Sequence, residues 1–302
     1  MNPSGFRLLA PAKVNLSLRV LGRRADGYHE IETVFQRVNL ADELTFKRRP
    51  AGLRLTSSDP ALDVGDENLV IKAASVLRDA TGARQGAAIH LTKRVPIAAG
   101  LGGGSSDAAA TLIGLNHLWQ LKLRQERLIE LAAEIGSDVP FFLHNCPYAV
   151  GRGRGERCEP LESRLGLNQV LVVPEAALST RDVYAGARFD LTPSRPFSNV
   201  VEHALTNGSL SELAQGIQND LEPEAIRRCP VIPRIQERLR YLGCLSAHVS
   251  GSGPSVVGLC LHAEQARETA DRLRSDGAAP WRVDVIGTMM DAQALGWPVP
   301  AV

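Results

Sequence analysis

The chain has 302 residues, of which 44% are hydrophobic and 22% are charged, and its formal net charge is +1. This composition is typical of a globular protein, and the length suits two domains of ordinary size. A nearly neutral chain has no global field that would attract nucleic acid or an anionic membrane, so any charged ligand must be held by a local site.

Alternation of apolar and polar side chains predicts the first strand, at residues 12–20. Ala12 and Val14 point one way and Lys13 and Asn15 the other, as in a strand with one buried and one solvated face. The remaining predictions in the first half are an Asp-Gly turn at 24–28, strands at 30–40, 43–49, 53–57 and 87–95, and helices from about 67 to 82, after the glycine loop to about 119, and at about 124–135.

A change of composition follows at 151–160, which is rich in glycine and arginine and predicts a turn or a domain boundary. We therefore expect an N-terminal domain at 1–155 and a C-terminal domain at 156–302. The predictions for the second half are strands at 168–175, 246–261 (interrupted by a glycine cluster) and 281–287, helices in pieces over 199–218 and at 230–242 and 263–275, a loop at 192–198 and a tail at 296–302. This irregular mixture of strands and helices predicts an α+β fold.

Five scattered cysteines form no C-x-x-C pair, which favours reduced thiols over a disulfide framework or a zinc site. No signal peptide is recognisable at the N-terminus, and no apolar stretch approaches the ~20 residues of a membrane span. We expect a cytoplasmic enzyme or binding protein, without a nucleic-acid or membrane partner.

The most informative stretch is 97-IAAGLGGGSSDAAA-110, which has the layout strand, glycine loop, helix. Glycines let backbone N–H groups converge on an anion, and the following helix adds its positive end. The loop lacks the G-K-[ST] of a Walker A motif and the acidic residue of a Rossmann fingerprint. A glycine turn with an N-cap is the alternative, but four glycines within five positions followed by Ser-Ser favour a phosphate site.

Two residues are candidates for chemistry at a bound acceptor. Asp138, in 135-IGSDVPFFL-143, can accept a hydroxyl proton, and Lys13 can stabilise both the aspartate and a developing alkoxide. From residue chemistry alone, a turn residue and a solvated strand face are slightly better interpretations of the two.

Three segments together, 11-PAKVNLSLRVLGRRADGYHEIETVFQ-36, 96-PIAAGLGGGSSDAA-109 and 249-VSGSGPSVVGL-259, resemble the GHMP small-molecule kinase superfamily. PAKVNLSL, DGYHE and IGSDVPFFL are most similar to the branch that phosphorylates a cytidine-diphosphate-linked methylerythritol in non-mevalonate isoprenoid synthesis. The resemblance implies a two-domain fold, ribosomal-protein-S5-like and then ferredoxin-like, with the active site between the domains. It also implies ATP and Mg²⁺, with no metal ligands assigned on the protein.

The resemblance also implies roles for individual residues. Asp138 matches the catalytic base and Lys13 its charged partner. The ATP-binding set it implies is Pro96, Ile97, Ala98, Ala99, Gly100, Leu101, Gly102, Gly103, Gly104, Ser105, Ser106 and Asn68. The substrate-binding set is Asn15, Tyr28, His29, Thr180 and Tyr184, in which Tyr28 and Tyr184 would enclose a cytosine. Asp107 would lie in the first turn of the helix and face away from ATP.

Two other functions stay open at the level of sequence. Another GHMP kinase, of the homoserine or mevalonate type, would use the same glycine loop but would leave Tyr28, His29 and Tyr184 without a reason. A non-catalytic nucleotide-binding protein on the same scaffold would not need Lys13 and Asp138.

Overall fold

Two antiparallel-rich sheets and ten helices make up the described part of the computed structural model, which covers residues 5–189, 198–275, 280–291 and 295–297. The strands are β1 (Phe6–Arg23), β2 (His29–Arg49), β3 (Leu53–Ser57), β4 (Gly86–Thr92), β5 (Tyr148–Gly153), β6 (Arg157–Pro160), β7 (Asn168–Val173), β8 (Gln218–Asn219), β9 (Ser246–Val249), β10 (Val256–Cys260) and β11 (Arg282–Gly287). The helices are α1 (Leu69–Thr81), α2 (Gly103–Leu118), α3 (Gln125–Ile135), α4 (Val139–Leu143), α5 (Thr180–Gly186), α6 (Ser198–Asn207), α7 (Leu210–Gly216), α8 (Glu222–Arg228), α9 (Ile232–Tyr241) and α10 (Ala263–Ser275).

The first sheet has the order β3-β4-β2-β1-β8, and β5 pairs with both β2 and β6. The long strand β2 pairs with three strands. Its residues 43–49 pair with β4, its residues 31–36 pair with β5, and β1 runs along residues 29–46. Helices α1 to α4 cover one face of this sheet, where their apolar side chains form the largest hydrophobic cluster with β1 to β4. Burial of these apolar side chains is the main favourable term that fixes the helices on the sheet.

The second sheet has the order β11-β7-β10-β9, and all of its pairs are antiparallel. Its strands alternate between two cores. Val170 and Val172 pack with α8, α9 and α10, whereas Leu171 and Val257 pack with Ala12 and neighbouring residues of the first sheet. The two sheets therefore share a core, and β1 lies between that core and the helices.

Burial of both faces of β1 corrects the prediction of a half-solvated strand. Lys13 is 4% exposed and Asn15 is 3% exposed. A register shift between Pro11 and Lys13 interrupts the alternation, since Ala10 packs among the helices while Ala12 packs on the second sheet. Such a bulge exchanges the two faces of a strand. Lys13 and Asn15 consequently lie on the α4 side of the sheet.

Several boundaries differ from the sequence predictions. The strands predicted at 30–40 and 43–49 are one continuous strand, β2. The segment 151–160 is a turn only between β5 and β6, which form a hairpin within the first sheet. Helices α4, α5 and α8 were not predicted. Each has five to seven residues, which is too short for a clear helical period.

The interrupted strand at 246–261 is confirmed as β9 and β10, joined by a turn with a cis peptide bond between Gly253 and Pro254. The loop predicted at 192–198 lies outside the described residues except for Ser198, which begins α6. Of the predicted tail, the structure describes Gly296 and Trp297. The indole of Trp297 is attached to the fold, since its Nε1 donates to the carbonyl of Leu9 at 3.1 Å.

Candidate active site

Lys13 and Asp138, which are 125 positions apart in sequence, meet in the structure. Lys13 Nζ lies 3.4 Å from Oδ2 of Asp138 and donates to Oδ1 of Asn15 at 2.6 Å. Asn15 in turn donates through Nδ2 to the hydroxyl of Thr33 at 2.7 Å, and that hydroxyl donates to the carbonyl of Ser17. Each polar group thus has a defined partner, which holds the Lys13 ammonium in one orientation.

The exposure of the two partners is unequal. Lys13 is 4% exposed, whereas the side chain of Asp138 is 31% exposed and is open to an incoming molecule. Asp138 occupies the N-cap position of α4, and its carboxylate makes no capping hydrogen bond. The carboxylate is therefore available to a ligand, while Lys13 stays fixed below it.

The glycine loop ends as the N-terminus of α2, which begins at Gly103 with Gly102 as its N-cap. Three positive φ angles shape the approach, at Ala98 (52°), Gly100 (77°) and Gly102 (66°). Gly103, Gly104 and Ser105 supply the first N–H groups of the helix, which have no partner within it. These donors and the helix dipole form an anion-binding end.

Ser106 lies deeper than its neighbours in the glycine loop. It is fully buried, and its hydroxyl has no hydrogen-bond partner among the described residues. Its backbone N–H already donates to the carbonyl of Gly102. Since buried hydroxyls nearly always have a partner, this one is a candidate to contact a bound group.

The second glycine cluster packs directly on the first. The hydroxyl of Ser250 donates to the carbonyl of Gly100 at 3.1 Å and accepts from the backbone N–H of Asn15 at 3.3 Å. A Cβ atom at Gly251 would lie 3.3 Å from Lys13 Nζ. The β9–β10 turn, the glycine loop and the polar face of β1 are therefore one connected unit.

Other predicted ATP-site residues fall in two places. Pro96, Ile97, Ala99 and Leu101 lead into or complete the loop, and Ile97 is 49% exposed while Leu101 is buried. Asn68 caps α1: its Oδ1 accepts from the N–H of Val70 and its Nδ2 donates to the carbonyl of Asp63. Contact with nucleotide stays a prediction for all of them.

Asp107 is in the second turn of α2 rather than the first, and it is buried. Its carboxylate pairs with Lys93 at 3.1 Å, and Lys93 also binds Asp42. Asp42 accepts from the N–H groups of Arg94 and Val95 as well, which ties the strand end before the glycine loop to the sheet. Burial raises the pKa of Asp107 to about 8, despite the attraction of Lys93, and neighbouring Asp42 adds to the rise.

The predicted substrate-binding residues form a second cluster. The rings of His29 and Tyr184 are stacked, with centroids 5.1 Å apart and an interplanar angle of 25°. Phe189 meets His29 edge-on at 5.4 Å. Burial lowers the pKa of His29, and the positive charge of Arg23 lowers it further; both effects favour the neutral imidazole.

Tyr28 stands apart from this stack. Its ring is 53% exposed, and the guanidinium of Arg154 lies 4.9 Å from the ring centroid. Thr180, in contrast, joins the second glycine cluster, since its hydroxyl is 2.9 Å from that of Ser252. The structure thus links Thr180 to the β9–β10 turn and leaves one face of Tyr28 open.

Sequence reasoning missed Phe189, Arg154 and Thr33. Phe189 and Arg154 carry no motif, and their proximity to His29 and Tyr28 depends on chain segments more than 100 residues apart. Thr33 carries no motif either, and its contact with Asn15 depends on the register between β1 and β2.

Family models agree with this architecture. The family model described as "GHMP kinases N terminal domain" matches residues 68–145, and the one described as "GHMP kinases C terminal" matches residues 201–279. A homoserine kinase from Cytophaga hutchinsonii has the same fold, with a TM-score of 0.77 over 96% of both chains at 21% identity. The chain has the fold of a GHMP kinase, which confirms the predicted two-domain α+β class.

More similar relatives narrow the family. A 4-diphosphocytidyl-2-C-methyl-D-erythritol kinase from Pelotomaculum thermopropionicum is 44% identical over 88% of this chain and 93% of its own length. Another from Symbiobacterium thermophilum is 42% identical over 90% and 96%. A crystal structure of 4-(cytidine 5'-diphospho)-2C-methyl-D-erythritol kinase superposes with a TM-score of 0.78 at 38% identity, covering 93% of this chain and 99% of the other. The chain belongs to the 4-diphosphocytidyl-2-C-methyl-D-erythritol kinase family.

No described helix combines the length and apolar character that a membrane crossing requires.

Among the described residues there is also no group of three or more His, Cys, Asp or Glu side chains arranged to hold a metal ion. Magnesium ions at kinase sites are bound largely through substrate phosphates with one or two protein oxygens, so such a cluster is not required here.

Proposed function

We propose that this protein transfers the γ-phosphoryl group of ATP to the 2-hydroxyl of 4-diphosphocytidyl-2-C-methyl-D-erythritol and releases ADP, as a step of non-mevalonate isoprenoid synthesis. The observation that carries the proposal is the Lys13–Asp138 pair beside the N-terminus of α2. Two kinases named for this substrate are 44% and 42% identical to this chain over nearly their full length, and this similarity supports the choice of acceptor.

Asp138 accepts the proton of the acceptor hydroxyl as the phosphoryl group is transferred. A carboxylate is a weak base, so it acts late and mainly orients the hydroxyl. Lys13 stabilises the carboxylate before transfer and the developing negative charge on the hydroxyl oxygen during it. The hydrogen bond from Lys13 to Asn15 keeps the ammonium from following the carboxylate when the acceptor enters.

The phosphates of ATP bind at Gly100 to Ser106. The free N–H groups of the first turn of α2 donate to phosphate oxygens, and the absence of side chains at the glycines lets the backbone approach. Mg²⁺ accompanies the nucleotide and neutralises phosphate charge when bound. The orphaned hydroxyl of Ser106 fits either a metal ligand or a phosphate donor.

The cytidine end of the substrate is held by aromatic side chains. Tyr28 stacks on the base with its open face, and His29, backed by Tyr184, offers a neutral ring nitrogen for a hydrogen bond. Base–aromatic stacking contributes about 1–3 kcal/mol per base. Thr180 and Asn15 contact the acceptor side.

The N-terminal domain spans 1–155 and the C-terminal domain 156–302, and the protein works in the cytoplasm on small molecules, as a monomer or weak homodimer. The five unpaired cysteines and the net charge of +1 support this setting. Light scattering with and without substrate measures the oligomeric state.

An ATP-consumption assay with three acceptors tests the function. The cytidylated methylerythritol substrate is expected to give turnover that homoserine and mevalonate do not. Turnover with homoserine or mevalonate instead would favour another GHMP kinase. ATP binding without turnover of any acceptor would favour a non-catalytic nucleotide-binding protein.

A further inference from the structure

Arg37 is a fully buried cation outside the roles described so far. It lies on β2 directly opposite Lys13 of β1, and it is 1% exposed. Its guanidinium donates through Nη2 to the carbonyl oxygens of Phe142 and His144. The rings of Phe141 and Trp297 each have their centroid 5.8 Å from its Cζ.

Burial of this charge is expensive without compensation. Desolvation lowers the pKa of Arg37 to about 10, so the side chain is still a cation at pH 7. None of the described carboxylates is paired with it, and its compensation comes from main-chain carbonyls and aromatic faces. An uncharged apolar residue of similar volume would avoid the desolvation cost. We therefore look for the role of the cation in the groups that it contacts.

The carbonyls that Arg37 binds are those at the C-terminal end of α4. That end of a helix carries partial negative charge and unpaired carbonyl groups, which a cation satisfies. Asp138 immediately precedes the helix at its other end. Five residues of helix span roughly 7.5 Å and move as one body. Lys13 of β1 and its strand partner Arg37 of β2 therefore bind opposite ends of α4. Lys13 contacts Asp138, and Arg37 binds the carbonyls of Phe142 and His144.

Helix α4 also contacts the phosphate loop. A Cβ atom at Gly102 would lie 3.1 Å from Cζ of the Phe142 ring. A shift of α4 along or across its axis would change the separation between the Asp138 carboxylate and Lys13, and it would press the same ring against the N-cap of α2. The position of α4 is thus common to both halves of the site.

We propose that Arg37 is a positioning residue for Asp138: it anchors the C-terminal end of α4 and so sets the carboxylate against Lys13 and the acceptor hydroxyl. This inference rests on the proposed function of Asp138. Arg37 acts only through α4, so its loss should affect the chemical step and leave the binding of substrates in place.

Steady-state kinetics of Arg37→Met and Arg37→Lys test the proposal, each made in the native and the Asp138→Asn background. Arg78→Met is the matched control, because Arg78 also lies over an indole and donates to a main-chain carbonyl, but it is on α1, away from α4. Arg37→Met should lower kcat about 10- to 100-fold, the usual effect of misplacing a reacting group by about 1 Å, with KM for both substrates within about twofold. Arg37→Lys, which keeps the cation, should recover part of kcat.

The double-mutant cycle separates positioning from general loss of structure. In the Asp138→Asn background, Arg37→Met should change the residual rate by less than about twofold, because the group it positions is already gone. An equal fold loss in both backgrounds, or an Arg37→Met kcat near that of Arg78→Met, would overturn the proposal. If Arg37→Met does not fold, the same comparison with Arg37→Lys decides.

A structural readout keeps this test independent of the acceptor. In a crystal structure of the Arg37 variant, the distance from Lys13 Nζ to the Asp138 carboxylate should exceed its present 3.4 Å by about 1 Å. An unchanged distance would refute positioning by Arg37 whatever the substrate. Absence of turnover by the unsubstituted protein would instead refute the proposed function alone.

Discussion

Nζ of Lys13 lies 3.4 Å from Oδ2 of Asp138 and 2.6 Å from Oδ1 of Asn15, so one buried ammonium joins the first strand to the start of α4. The lysine is almost fully enclosed, while the carboxylate is open to an incoming ligand. This asymmetry suits a site in which the base meets the acceptor and the cation holds the base.

Replacing Asp138 by Asn removes the proton acceptor while preserving shape. We expect kcat to fall by about 10²–10⁴-fold, the range for loss of a general base, with ATP affinity nearly unchanged. Asp271→Asn, on the exposed face of α10, is the control and should behave as the native protein. Unchanged turnover of Asp138→Asn would contradict the assignment of the base.

Gly100 is predicted to tolerate no side chain. Its φ is 77°, and a Cβ atom there would clash with the carbonyl oxygen of Ser250. Gly100→Ala should lower the free energy of unfolding by about 1–3 kcal/mol, from backbone strain and the displaced turn. Urea denaturation measures this change.

Gly104→Ala is the comparison for Gly100→Ala in the same loop. Gly104 is helical, and its Cβ would be in ordinary contact with Leu69 at 3.5 Å. Its unfolding free energy should stay level or rise by up to about 1 kcal/mol, because alanine favours helix over glycine. Equal losses of unfolding free energy for both variants would show that the clash with the Ser250 carbonyl does not cause the effect.

The aromatic stack is predicted to select the cytidine end of the substrate. Tyr184→Ala and His29→Ala should each raise KM for the cytidylated acceptor about tenfold, equivalent to about 1.4 kcal/mol, and leave KM for ATP unchanged. Tyr241→Ala, whose side chain is 79% exposed, should have no effect. A parallel rise in KM for ATP would mean that the stack supports the whole site rather than the base.

The Lys93–Asp42–Asp107 network predicts a pH dependence of stability. Burial raises the pKa of Asp107 to about 8 in the folded state, above its ordinary 3.8, so the folded protein binds more protons between those values. The contribution of Asp107 to stability should therefore fall as pH rises from about 4 to about 8. Asp107→Asn cannot titrate and should be more stable than the native protein by a margin that grows with pH.

Urea midpoints at pH 5 and pH 8 measure that margin for Asp107→Asn. Asp79→Asn, an exposed position on α1, is the control and should leave the slope with pH unchanged. A constant margin across the two pH values would mean that Asp107 stays ionised throughout beside Lys93.

Local pattern was sufficient for most of the elements and for the glycine loop. The strand at 12–20, the helix after Asn68 and the glycine loop before α2 were each predicted from neighbours in sequence, and each element is found in the structure. The short helices α4, α5 and α8 were missed because five to seven residues do not complete enough turns to show a period.

The sequence by itself, with its resemblance to a kinase family, determined which residues are predicted to carry chemistry: a lysine on a strand, an aspartate before Val-Pro, and a glycine loop that opens a helix. Only the tertiary structure decided that Lys13 is buried rather than solvated, that Asp138 meets it, and that Phe189 and Arg154 join the aromatic side chains. The physical reason is that exposure and contact depend on what packs over a strand face. For β1, that covering is α4 and the β9–β10 turn, which are more than 100 residues away along the chain.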